Sequence, residues 1–361
     1  MWNNPLPGVP SVESPFFDQI AQAEGWDEET LRVARDLRDK GYAIIDFPTE
    51  DIDALAAGIV GELTPRYDFE GWRREGHGKR EGLRVQDAWQ TSALVRGVAA
   101  EPRILDLLSR LYGRRAFPFQ TLNFPVGTQQ DAHSDSMHFS SVPERFMCGV
   151  WLALEDIDAD NGSLEYYPGS HKLPIYTNEH IGVCAAVSKN KVAHYKAYLS
   201  LWQRLAEAHG LEKETFHARK GQALIWSANL LHGGGVHLDL QRTRWSQVTH
   251  YYFEGCSYYT PLTSDPFFGS IEYRKLTDIA TGEPRENMYA GLKVPEETVD
   301  RALYNMDAYA FSAEDRPLPL GFSASDYLVA NPDVAAAGVD AAEHWRAFGY
   351  AEGRKLRAGS P

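Results

Sequence analysis

The chain has 361 residues, enough for one large domain or one large domain with a small appendage. Its composition, 43% hydrophobic and 24% charged, is that of an ordinary globular protein. With 36 Lys and Arg against 50 Asp and Glu, the net charge of −14 repels phosphate backbones and argues against nucleic acid as a partner. Cys148, Cys184 and Cys256 are odd in number and far apart, which excludes a disulfide framework or a cysteine-built zinc cluster and reads as reduced thiols. The first residues, MWNNPLPGVPSVESPFF, have neither the basic start nor the apolar stretch of a signal peptide, and no run of eighteen apolar residues occurs. The expected location is therefore cytoplasmic.

Residues 1–26 are rich in Pro and Ser and are expected to wrap the surface. DEETLRVARDLRDKG (27–41) has an acidic first turn and a glycine stop, and predicts a helix. YAIIDF (42–47) predicts a strand. EDIDALAAGIVGEL (50–63) has helical apolar spacing, and so does TSALVRGVAAEPRILDLLSRLYG (91–113), the latter broken at Pro102.

From about residue 116 the texture changes. FPFQTLNF, FMCGVWLAL, SLEYYPGS, QALIWSANLL and RTRWSQVTHYYF are short aromatic or β-branched runs separated by turn residues. They predict an all-β sandwich or barrel over about 116–260, packed by outer helices. VAHYKAYLSLWQRLAEAHG (192–210) interrupts it as a helical insertion, and the wider segment 173–220, with Tyr176, His180, Tyr195 and Trp202, is a candidate lid. Such aromatics also suit a helix that merely packs. EDRPLPLG (314–321), with Pro317 and Pro319, reads as a linker. The Ala-rich segment 322–357 reads as a separate module of two or three short helices.

In DAHSDSMHF (131–139), His133 and Asp135 are two residues apart. On a strand, such residues share a face and can grip one ion. A lone H-x-D is common by chance. A third ligand is available in IWSANLLHGGG, where His232 ends an apolar run and the following glycines let backbone approach closely. Two histidines and one carboxylate on one face leave three open positions, a pattern used by non-haem Fe(II) oxygenases. His232 could equally be a capping or core histidine. Twelve residues on, Arg244, Ser246, Val248 and His250 share a face if their run is a strand. A buried arginine there requires an anion, and a dicarboxylate bound to iron at its other end would supply it. Arg242 has the same parity and reads as a solvated rim residue. His138 is either near the pocket or a surface histidine.

The order H-x-D, then NGSLEYYPGSHK, then LLHGG, then Arg244 resembles the phytanoyl-CoA dioxygenase family over roughly residues 30–300. The segment Asn161, Gly162, Leu164 and Pro168 to His171 carries much of that resemblance. The resemblance implies a fold that is mainly β with surrounding helices, a double-stranded β-helix or jelly roll of cupin-like type, in a domain spanning 1–315. A small helical module follows at 320–358.

It implies Fe(II) with 2-oxoglutarate and O2 as cosubstrates, and hydroxylation of a C–H bond of a small molecule with release of succinate and CO2. His133, Asp135 and His232 become the iron ligands and Arg244 the clamp for the far carboxylate of 2-oxoglutarate. Trp151 and Asn123 become cosubstrate contacts. Relatives often carry a serine where this chain has Gly234, so Ser246 is the candidate to replace that hydrogen bond. Related halogenases lack the carboxylate, so Asp135 favours hydroxylation or a similar oxidation such as desaturation.

The C-terminal module resembles a short helical repeat attached to bacterial glycosyltransferases and other surface-polysaccharide proteins. That tilts the expected bacterial substrate towards glycan or secondary metabolism, and no oligomeric state is implied. Two other readings fit the residues: a jelly-roll binding protein without turnover, and a metal-dependent hydrolase or isomerase on a cupin-like barrel.

Overall fold

The computed structural model describes residues 4–76, 82–185, 191–301, 318, 322–349, 352 and 354–358. The helices form where their end signals stand. Helix α1 spans Phe17–Ala23 and α2 spans Glu28–Lys40. Asp27 caps α2 by accepting from the Thr30 N–H at 2.7 Å. Gly41, at φ 88°, ends it, with Arg38 and Lys40 in the last turn against the negative end of the helix. Thr30, Val33, Ala34 and Leu37 form its buried stripe. Helices α3 (Ile52–Leu63), α4 (Phe69–Glu75), α5 (Ala93–Ala99) and α6 (Pro102–Tyr112) follow, with the break between the last two at the expected proline.

The strands used below are β1 Tyr42–Asp46, β2 Val85–Gln86, β3 Ala116–Phe124, β4 Ser140–Val142, β5 Met147–Ala153, β6 Leu164–Tyr166, β7 Glu214–Phe216, β8 Gln222–Ser227, β9 His232–Gly234 and β10 Ser246–Phe253. Six of them form an antiparallel sheet in the order β1-β8-β5-β10-β3-β2, and a second sheet runs β7-β6-β9. One face of the large sheet packs on the helices through residues such as Val33, Leu37, Ile59, Leu108, Cys148, Val150 and Ile225. The other faces the small sheet through Leu122, Trp151, Leu164, Phe216, Leu224 and Val248. Alternation along each strand thus separates a helix-facing core from a site-facing layer.

Three expectations change. The β-core does not begin at 116: β1 pairs with β8, Tyr42 opposite Trp226, and β2 closes the other edge. The N-terminal segment does not simply wrap the surface. Val12, Phe17, Ile20, Ala21 and Trp26 are buried in the helix-side core, because the apolar positions 17, 20 and 21 repeat at helical spacing within a Pro- and Ser-rich stretch. The helices cover one whole side of the large sheet, so the architecture is mixed α/β with antiparallel sheets rather than mainly β.

The insertion forms helix α7, Lys191–Ala208, whose Tyr198 and Trp202 pack with Met137, Leu231 and Leu262. The linker prolines Pro317 and Pro319 lie outside the described residues. Beyond them, helices at Ala324–Ala330, Pro332–Ala337 and Ala341–His344 close on their own apolar cluster of Tyr327, Val334, Ala341 and Trp345. Among the described residues, no helix is long and apolar enough to cross a membrane.

His171 ties the second sheet's approach to α2. Its ring occupies the space that a side chain on Gly41 would need, and its Nε2 bonds the Arg38 carbonyl at 3.1 Å. Burial pushes its pKa down to about 4. Between that value and the ordinary 6.5 the unfolded chain binds a proton that the folded chain does not, so stability falls as pH falls through this window. The slope from this group approaches about 1.4 kcal/mol per pH unit. Denaturant titrations of wild type and His171→Gln from pH 7 to pH 4 should give a shallower acid-side loss in the variant.

Candidate active site

The site begins with backbone. His133 and His232 form an antiparallel bridge: the His133 N–H donates to the His232 carbonyl at 2.9 Å, and the His232 N–H donates back at 3.0 Å. Their rings lie side by side, with centroids 4.6 Å apart. Glycines allow this approach. A Cβ on Gly233 would meet the Gln130 carbonyl oxygen at 2.5 Å, and one on Gly234 would meet Thr128 Oγ1 at 2.9 Å. His232 does not end the apolar strand as expected; β8 stops at Ser227, and His232 opens β9 in the small sheet.

Asp135 does not share a strand face with His133. It starts a short 3-10 turn, Asp135–Met137, and its carbonyl accepts from the N–H groups of His138 and Phe139 at 2.9 and 2.8 Å. The turn brings the carboxylate under both imidazoles. Asp135 Oδ1 is 3.8 Å from His133 Nε2, and Oδ2 is 3.7 Å from His232 Nε2. One ligand atom from each of the three lies within 4.8 Å of the others, and all three residues are buried.

The donor set suits a divalent transition metal. The Asp131 carbonyl is 2.9 Å from His133 Nδ1, and the Leu230 carbonyl is 3.0 Å from His232 Nδ1. A carbonyl can only accept, so Nδ1 carries a proton in each ring and Nε2 is the atom left to face a metal. Burial, with His232 beside it, pushes the His133 pKa down to about 3, so this imidazole is neutral at ordinary pH. Burial alone would raise the Asp135 carboxyl, but the surrounding histidines outweigh it and hold it well below the usual carboxylate range. Two imidazoles facing inward through Nε2 and a carboxylate on one side of a cavity fit a 2-His-1-carboxylate iron site.

One cross-strand row of the large sheet supports the carboxylate. Gln120, His250, Gly149 and Trp226 stand opposite one another on β3, β10, β5 and β8. Gln120 Oε1 bonds His250 Nδ1 at 3.0 Å, and His250 Nε2 lies 3.6 Å from Asp135 Oδ2. The Trp226 indole N–H donates to Asp135 Oδ2 at 2.9 Å. The indole fits because Gly149 lacks a side chain; a Cβ there would collide with the ring. Strand parity in the sequence puts His250 on this face, but nothing local points to a role for His250, Trp226 or Gly149, because their partner is brought in from a turn elsewhere in the chain.

The next row, Leu122, Val248, Trp151 and Leu224, leads to Arg244. Arg244 precedes β10 rather than lying on it, and it is buried. Its Nε donates to the Gly162 carbonyl at 2.9 Å and Nη1 to Ser246 Oγ at 3.0 Å; its guanidinium lies 5.0 Å from the Trp151 ring centre. Asn161 Nδ2 holds the neighbouring Thr243 carbonyl at 2.9 Å. The Asn161–Gly162 pair thus positions the arginine. Ser170 Oγ accepts from the Leu231 N–H at 2.8 Å, so the same motif's second half positions His232.

Among the described residues no carboxylate pairs with Arg244 within ion-pair distance, although burial lowers its pKa only to about 10 and it stays charged. Arg242 instead pairs with Asp158 at 2.8 Å at the surface. Asn123, expected to touch the cosubstrate, faces away. Lining residues on β3 are Gln120, Leu122 and Phe124, and Asn123 bonds Gln247 on the helix side at 3.2 Å.

A cavity of about 430 Å³ joins these parts. His133, Asp135, His232, Trp151 and Arg244 line it, together with His138, Tyr195 from α7, Arg84 and Arg274. His138 and Tyr195 stand with ring centres 5.1 Å apart, so the helix of the insertion does border the cavity. Tyr176 and His180 pair with each other, 5.7 Å apart, and neither lines it.

The indole bond to Asp135 gives a direct test. Trp226→Phe should weaken Co(II) or Fe(II) binding about tenfold to a hundredfold by equilibrium dialysis, with the fold retained by circular dichroism. Asp135→Ala should lose much more. Unchanged metal affinity in Trp226→Phe would show that the indole only packs.

The family profile of phytanoyl-CoA dioxygenase (PhyH) matches residues 37–242, more than half of the chain, including His133, Asp135 and His232. A curated relative, a probable alpha-ketoglutarate-dependent hypophosphite dioxygenase of Stutzerimonas stutzeri, is 21% identical over 225 residues, covering 58% of this chain and 74% of that protein. Among solved structures, the non-heme alpha ketoglutarate dependent carbocyclase SnoK from nogalamycin biosynthesis is similar at 19% identity and TM-score 0.48, covering 65% of this chain and 88% of that one. EctD from S. alaskensis, solved with 2-oxoglutarate and 5-hydroxyectoine, is similar at 17% identity and TM-score 0.46, covering 82% and 90%. The extent of the profile match establishes that the chain belongs to the phytanoyl-CoA dioxygenase family, a family of 2-oxoglutarate-dependent non-haem iron oxygenases.

Proposed function

We propose that this oxygenase hydroxylates a C–H bond of a small molecule, with His133, Asp135 and His232 as the Fe(II) ligands and Arg244 as the clamp for the far carboxylate of 2-oxoglutarate. One observation carries the assignment of roles: the triad and a buried, charged arginine with no carboxylate within ion-pair distance among the described residues line a single cavity. A buried guanidinium with no counter-ion is costly, and a dicarboxylate reaching from the metal would relieve that cost. A hydrolase or isomerase would have no such use for Arg244.

Bound Fe(II), with 2-oxoglutarate and O2, supplies an oxidant able to attack an unactivated C–H bond and releases succinate and CO2. The chain's own residues prepare for it. His133 and His232 present Nε2 to the cavity because backbone carbonyls hold their Nδ1 protons. Trp226 and His250 orient Asp135. Asp135 itself occupies the position that related halogenases leave open, which supports hydroxylation. Ser246 and Gly162 aim Arg244, and Trp151 and Val248 wall its end of the cavity against water. Tyr195 and α7 form one border, in the place of a lid. The two facing sheets are read as the walls of a double-stranded β-helix in a catalytic domain over residues 1–315, with 320–358 as an appended module.

The test is an anaerobic titration of metal-free protein with Fe(II) and then 2-oxoglutarate. Wild type should develop a weak lilac charge-transfer band. His232→Ala should not, and Arg244→Ala should need about tenfold or more 2-oxoglutarate for half-saturation, the loss expected for a charge-assisted bond. Iron-loaded, folded wild type without the band would overturn the proposal and favour a ligand-binding protein.

A further inference from the structure

The cavity's charge runs against that of the chain. The protein carries a net −14, yet the described lining of the cavity has three arginines, Arg84, Arg244 and Arg274, and one carboxylate, Asp135. If the site is loaded as proposed above, on which this inference rests, its inner end is neutral. The positive charges of Fe(II) and Arg244 are cancelled by Asp135 and the two carboxylates of 2-oxoglutarate. Arg84 and Arg274 remain uncompensated.

Arg274 is placed away from the Arg244 end. The cavity-facing row of β10 starts at Ser246, which Arg244 bonds, and reaches His250 four residues later, about 13 Å along the strand. Phe139 lies against His250 with ring centres 4.9 Å apart, and the Arg274 guanidinium lies 4.8 Å from the Phe139 ring centre. In the proposed loading both carboxylates of 2-oxoglutarate are already used, one at the metal and one on Arg244. The donors of Arg274 are poorly used. Nη1 makes two long contacts, 3.4 Å to the His138 carbonyl and 3.3 Å to Thr260 Oγ1, and the buried Nε has no hydrogen-bond partner among the described residues. No carboxylate among the described residues pairs with Arg274 or with the exposed Arg84. Arginine's planar fork, backed by aromatic rings, is suited to an oxyanion.

We propose that this end of the cavity is an oxyanion receptor, and that the substrate is a small organic molecule whose carboxylate or phosphoryl-type group sits on Arg274, with Arg84 assisting from the exposed rim. The anchored group would hold the rest of the molecule along Phe139 and His250 towards Asp135 and the two metal histidines. Positioning by a fixed charge pair would select which C–H bond is presented.

The experiment uses the full chain loaded anaerobically with Fe(II) and saturating 2-oxoglutarate, its charge-transfer band checked first. Benzoate, phenylphosphonate and the neutral benzamide are then titrated by calorimetry. At least one acid should bind about tenfold or more tightly than benzamide, and the better of the two identifies the anion type. Arg274→Gln should lose that preference, Arg274→Lys should keep part of it, and Arg84→Gln, at an exposed site where misfolding is not expected, should weaken it a few-fold. Equal affinity for acid and amide, no acid binding at millimolar concentration, or a preference untouched in both glutamine variants would overturn the inference. Absence of the charge-transfer band in wild type would instead count against the oxygenase assignment, so the two failures are distinguishable.

Discussion

The pair of backbone hydrogen bonds between His133 and His232 is the constraint on which the site depends. It joins a loop that follows β3 to the first residue of β9, almost a hundred residues later, and sets two imidazoles side by side. Everything near it is arranged to permit that closeness. Gly233 and Gly234 leave room for the 128–132 backbone, and Leu231, just before His232, is held by Ser170 and by the Tyr167 N–H. A side chain at Gly233 would meet the Gln130 carbonyl and push the two segments apart, while one at Gly234 would press on Thr128 and the Gln129 backbone.

The second requirement is electrostatic. A carboxylate and a guanidinium are both buried in this core without pairing with each other, which would be unfavourable in a merely structural interior. The two charges are instead spread along the length of β10, with Arg244 at the Ser246 end and Asp135 beside His250. Each is held by neutral donors or acceptors: Trp226 for the carboxylate, Gly162 and Ser246 for the arginine. Such separation keeps both groups available to a third species lying between them. The mixed architecture serves this arrangement, because helices bury the far face of the large sheet and leave its near face to carry alternate polar residues into the cavity.

The motif NGSLEYYPGSH illustrates how structure enlarges a sequence signal. In the sequence it marks a strand between tight turns. In the fold its two ends reach different candidate residues: Asn161 and Gly162 hold the segment bearing Arg244, while Ser170 holds the residue before His232. None of its side chains except Leu164 lines the cavity. Its residues act by fixing backbone, and hydrogen bonds of that kind leave no periodic or charge signature.

The sequence alone was enough to delimit the helices with strong caps, the β-rich centre, the family likeness and the candidate ligands His133, Asp135 and His232, because these rest on local chemistry: capping residues, strand alternation and rare residue types in a recognisable order. It also ranked Arg244 above Arg242, and the fold buries Arg244 while pairing Arg242 with Asp158 at the surface. Tertiary structure decided what depends on partners distant in the chain. It turned Asn123 to the helix side, opened β9 at His232, moved Asp135 from a strand face to a turn, and drew the N-terminal segment into the core. It also revealed the support that Gly149, Trp226 and His250 give to Asp135, and it set Arg274 at the far end of the cavity. Strand register and loop closure determine which side chains meet, and both are settled by packing over the whole molecule rather than by any short window of residues.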